Sequence, residues 1–110
     1  MGLFTPKPYK MNNLSMAEKA AVGTALEIGI KCAGGSGLAG TLKTARRDFN
    51  SGALSQTDMA AVLACLEATL TALSNGDDSD MRTTLLKQKA VIQVSIVLAI
   101  EKLKAMVGIS

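Results

Sequence analysis

An all-α domain, a four-helix bundle-like arrangement with an extended N-terminal arm, is what this chain of 110 residues predicts. Three observations carry the expectation. Hydrophobic residues make up 48% of the chain but aromatic ones only 3%, with Phe4, Tyr9 and Phe49 the whole set. Such a core has to be built from Ala, Leu, Ile, Val and Met, a composition that favours helices over strands. Apolar residues also recur at helical period in segments separated by Gly-, Asn- and Ser-rich breaks. Finally, Ala90 to Ile100 reads AVIQVSIVLAI, uncharged, with only Gln93 and Ser95 polar. A helix apolar on every side must be enclosed by protein, so this stretch is the centre of the fold, of an assembly, or of both. The length fits one domain, residues 15–110, behind an arm of residues 1–14.

In the arm, Pro6 and Pro8 remove backbone donors and favour an extended path, while Leu3, Phe4, Tyr9 and Met11 carry apolar surface. An arm of that content is expected to dock on its own bundle or on a neighbouring subunit. Ser15-Met-Ala-Glu18 spells a capping box and predicts a helix over 16–33. On it Ala21, Val22, Ala25, Leu26, Ile28, Cys32 and Ala33 share a face with Gly29 near its middle, where a glycine admits close approach of another helix. Gly34-Gly35-Ser36-Gly37 stops it.

A short helix over 38–49 follows, with Leu38, Leu42, Ala45 and Phe49 on one side and Lys43, Arg46 and Arg47 on the other. Ser55 and Asp58 form a second capping box, opening a helix over 56–74. Here Met59, Leu63, Leu66, Leu70 and Leu73 keep a heptad seam, and Ala60, Ala61, Ala64, Ala68, Thr71 and Ala72 form a small-residue seam opposite. Asn75-Gly76 predicts a left-handed cap, and Asp77-Asp78-Ser79-Asp80 an acidic turn into a last helix over 81–107. Its inner line is Leu85, Ile92, Ile96, Ala99, Leu103 and Met106, with Leu86, Ala90, Val94, Val97 and Leu98 behind, and Gly108 ends it.

Several function classes recede on composition. The chain has no histidine, which removes imidazole bases, His-ligated metals and Ser-His or Cys-His pairs. Glu18, Glu27, Glu67 and Glu101 read as a cap and helix-surface residues without paired-carboxylate spacing, and the Asp77–Asp80 cluster lacks the alternating ligands of a calcium loop. No catalytic residue, metal site or cofactor is expected, and the chain reads as a non-enzyme. Cys32 and Cys65, each in an apolar helical stretch, read as two buried thiols in a reducing cytosol. The apolar run of Ala90–Ile100 is shorter than a bilayer span and flanked by Lys87, Lys89, Lys102 and Lys104, and no leader-like run precedes it, so no membrane partner and a cytoplasmic setting are expected. Gly35-Ser-Gly37-Leu-Ala-Gly40 matches GxGxxG, but the helical period before it predicts an inter-helix loop rather than a βαβ dinucleotide site. Its amides beside Lys43 and Arg46 could take an anion.

Leu42-Lys43 through Arg46, Leu54-Ser55-Gln56-Thr57-Asp58-Met59-Ala60, Leu63, Thr69-Leu70, Leu73, Asn75-Gly76 and Thr84-Leu85-Leu86-Lys87 together resemble the pattern of phage-repressor-type (Xre-like) helix-turn-helix domains, over about residues 42–90. The resemblance implies that Gln56 opens the first helix of the motif, Ala60 is its small packing residue and 67–73 is the recognition helix in the major groove. The heptad seam across 63–70 instead predicts one continuous helix. Lys43, Arg46 and Arg47 read as phosphate contacts in the DNA-binding alternative, or as a solvated face with Asp48 beside them. A formal charge of +3 permits nucleic acid without calling for it.

The favoured expectation is a structural or protein-interaction subunit. Apolar helix surface exceeds what one small bundle needs, which predicts a homo-oligomer or a subunit of a larger particle, a phage or mobile-element component being one concrete form. Self-association is expected through Phe4, Tyr9, Val91, Val94, Val97 and Leu98.

Overall fold

In a computed structural model the chain is described at residues 8–76 and 83–108, with the last helix's side chains described from residue 87 onward. Phe4, the Asp77–Asp80 turn and the expected helix start at Met81 lie outside these residues, as do the side chains of Leu85 and Leu86. Four helices form the described fold: α1 (Met16–Ala33), α2 (Gly37–Ser51), α3 (Gln56–Asn75) and α4 (Thr83–Val107). The all-α bundle-like architecture read from the sequence is thus the one observed.

Local chemistry fixes the starts of α1 and α3. Ser15 Oγ accepts from the Glu18 amide at 3.1 Å while Glu18 Oε1 accepts from the Ser15 amide at 2.7 Å. The same reciprocal pair opens α3, with Ser55 and Asp58 bonded at 3.1 and 3.2 Å. Each box satisfies two amides that the first turn otherwise leaves unpaired.

The α1–α3 pair is the centre of the bundle: each of these helices touches the other three, and α2 and α4 pack chiefly on the pair. The largest fully buried side chains are Val22 and Leu26 of α1, Leu54, Met59, Val62 and Leu66 at or in α3, Ile96 and Leu103 of α4, and Met11 before α1. Phe49, Leu42 and Ala45 complete the core from α2. Gly29 sits where α1, α2 and α3 meet; a Cβ there would lie 2.7 Å from Cys65 Sγ and 3.2 Å from Leu42 Cδ1, so the close approach expected of this glycine is real.

Composition did not announce the two-residue strands β1 (Tyr9–Lys10) and β2 (Ala53–Leu54), which pair antiparallel with Tyr9 opposite Leu54. Next to them Gly52, in the left-handed region at φ 98°, closes α2 and presents its carbonyl to the Met11 amide at 3.0 Å. Met11 and Leu14 are buried, so residues 8–14 dock on the chain's own α2–α3 corner.

Four sequence expectations are corrected. The middle of α4 is not enclosed by this chain: Ile96, Ala99 and Leu103 are buried, while Val91, Val94, Val97 and Leu98 face outward, because only α1 and α3 press on it. Cys32 is exposed and only Cys65 is buried, since the buried face of α1 runs through Ala25 and Leu26 and stops short of its last turn. Ile28 and Leu38, placed on inner faces by periodicity, are exposed for the same reason: the α1–α2 connection projects beyond the core. Gly76 ends α3 in an extended conformation, φ −70° and ψ 151°, rather than left-handed.

Candidate interaction surface

Glu18, Asp58 and Cys65 are engaged in structure. Glu18 is buried, and its Oε1 accepts from Lys102 Nζ at 2.7 Å as well as from the Ser15 amide. That ammonium, followed by the capping amide, holds the Glu18 carboxyl below its ordinary range. Asp58 closes the α3 capping box. Cys65 donates to the Ala25 carbonyl at 3.2 Å, and burial pushes its thiol pKa up, away from nucleophile chemistry. No cluster of His, Cys, Asp or Glu suited to a metal occurs among the described residues.

The basic patch of α2 lies on an open face. Lys43 and Arg47 are exposed and Arg46 is half-buried; Arg47 Nε donates to Asp48 Oδ1 at 3.2 Å. α3 runs unbroken through Ala64 to Leu66, so residues 67–73 are the second half of one helix and not a separate element. By length and composition this helix would pass for a membrane span, yet Met59, Val62, Cys65, Leu66 and Thr69 form its buried row within the bundle.

What the fold leaves uncovered is a strip on α4. Val91 and Val94 are 61% and 59% exposed, and Leu98 and Val97 are 42% and 39% exposed. At 3.6 residues per turn, these four side chains fall on one side of the helix. The strip borders a shallow groove lined by Leu70 and Ser74 of α3 with Gln93, Val94, Val97 and Leu98 of α4. Its C-terminal flanks are pinned inward, Lys102 to Glu18 and Lys104 Nζ to Glu67 Oε1 at 3.1 Å, which leaves the valines prominent between them.

Four of the sequence-derived association residues, Val91, Val94, Val97 and Leu98, are therefore brought together. Tyr9 is not among them: it is half-buried against the core, beside Met59, Leu63 and Val107. Ile28 and Leu38 form further exposed apolar surface that periodicity assigned to the interior; the glycine-rich sequence between their helices was the available signal that this corner stands clear of the core. Comparison with protein-family models, characterised proteins and solved structures finds no match to this chain.

Proposed function

We propose that this chain is a non-enzymatic structural subunit that binds a second copy of itself through the outer strip of α4. The carrying observation is that the core is complete on the inner side of α4, through Ile96, Ala99, Ile100 and Leu103, while the opposite side keeps three valines and a leucine in water. Singly exposed apolar residues are commonplace, but a contiguous strip at helical spacing, with no charge inside it, is the form of a helix-packing surface. Covering such a strip with its own kind removes apolar area from water on both copies at once. The lack of histidine and the use of Glu18 and Asp58 as caps support a role without catalysis.

The test is the solution mass of the intact chain across a concentration series, with Val94→Asp as the variant. The proposal expects a dimer or larger species that Val94→Asp returns to monomer with unchanged helix content. A wild-type monomer at every concentration overturns it. Repeating the measurement with duplex DNA at low salt separates the other reading: a DNA-dependent mass lost on Lys43→Glu and Arg46→Glu would reassign the chain as a nucleic-acid binder.

A further inference from the structure

The outer strip of α4 is symmetric about one residue. Taken from Val94, Lys87 and Glu101 lie seven positions to either side, Ala90 and Leu98 four, and Val91 and Val97 three. At 3.6 residues per turn all of them fall within about 60° of Val94, so they share a single face. All of them are exposed. The apolar positions mirror apolar positions, and the one basic residue mirrors the one acidic residue. Neither Lys87 nor Glu101 makes an ion pair among the described residues, whereas Lys102 and Lys104 beside Glu101 are both engaged with α1 and α3.

We infer that two copies pair through α4 in antiparallel register, with the two-fold axis passing at Val94 so that Lys87 of each copy faces Glu101 of the other. This rests on the self-association proposed above and adds its partner geometry. A two-fold interface brings residue i against residue j and j against i, so a strip that pairs with itself antiparallel needs mirror-related chemistry about its centre. This strip has it. Parallel pairing in register would set Lys87 against Lys87 and Glu101 against Glu101, two like-charge contacts with no compensation. A shift by one turn sets Lys87 against Val97 in one direction and Glu101 against Val91 in the other, so that a charge loses its partner and is partly desolvated. In the antiparallel register Val94 meets its own copy at the centre, Val91 meets Val97 and Ala90 meets Leu98, setting a small residue against a large one. Opposed helix directions also set the macrodipoles favourably.

Sedimentation equilibrium at low ionic strength, on wild type, Lys87→Glu, Glu101→Lys and the double variant, tests the register. Each single change creates two like-charge contacts per dimer and is expected to weaken association by about tenfold. The double variant restores both contacts with reversed polarity and should return the dissociation constant to that of wild type, with helix content equal in all four proteins. If the single variants dimerise as wild type does while Val94→Asp still gives monomer, or if the double variant fails to recover, the register is wrong and self-association stands. If wild type is monomeric at every concentration, the reading beneath it is wrong instead.

Discussion

At the scale of single residues, Gly29 lies where Cys65 and Leu42 leave no room for a side chain. Gly29→Ala gains about 1 kcal/mol of helix propensity but sets a Cβ 2.7 Å from Cys65 Sγ, a sulfur fixed by its bond to the Ala25 carbonyl. Overpacking of this kind costs about 1–3 kcal/mol, so the clash wins and urea denaturation should show a net loss of about 1 kcal/mol. Cys65→Ala in the same chain opens the space, and a double-mutant cycle should return a favourable coupling of about 2 kcal/mol, the clash relieved; additive single effects would contradict the close approach. The two thiols also separate. Cys32 is exposed and should react with a disulfide reagent at neutral pH within the mixing time, whereas Cys65, buried and with its thiol pKa raised, should react only on unfolding. Two fast thiols in the native protein would contradict the burial of Cys65. Sequence patterning found Gly29 because a glycine amid aliphatic residues is a local signal; it misjudged Cys32 because the length of a buried face is set by what packs against it.

At the scale of elements, the two capping boxes do comparable work at the starts of α1 and α3. Ser15→Ala and Ser55→Ala should each cost about 1 kcal/mol in urea denaturation, since each removes the acceptor of a first-turn amide. The α1 box has an additional role, because Glu18 joins it to α4 through Lys102. A carboxyl held below its ordinary value of 4.5 contributes stability that is present above that pH and is lost as pH falls through the lower folded value. Thermal melts of wild type and Glu18→Gln should therefore differ most near neutrality, with the gap closing as pH falls below 4.5 and through the lower folded value. A constant gap across that range would show that the Lys102 contact does not act through charge. Both boxes were legible because Ser-x-x-Glu and Ser-x-x-Asp are local patterns read within one turn. The pairing of Tyr9–Lys10 with Ala53–Leu54 was not, since two-residue strands leave no alternation to read, and the Lys102–Glu18 pair spans most of the chain. The extended Gly76 shows the same limit, for Asn-Gly permits a left-handed cap without requiring it.

At the scale of the whole molecule, the midsection of α4 is apolar all round in sequence, and periodicity assigned Ile96, Ala99 and Leu103 to its inner line but did not say that the opposite side would be left open by the chain itself. The bundle answers by packing α1 and α3 on Ile96, Ala99 and Leu103 and leaving Val91, Val94, Val97 and Leu98 outside. A fold that is complete without this strip but stabilised by covering it has a stability that depends on protein concentration. The self-association proposed above would link folding to protein concentration by mass action, each tenfold rise adding about 1.4 kcal/mol per dimer. For a folding unit of this combined size that corresponds to a rise in melting temperature of a few degrees per tenfold step, about 2–4 °C for each kcal/mol. Val94→Asp should melt at one temperature regardless of concentration, close to that of dilute wild type, because Val94 is 59% exposed and contributes little to the core of its own copy. A wild-type melting temperature that does not move over a hundredfold range would mean that the strip stays in water and that the aliphatic surplus of α4 is not covered by another copy.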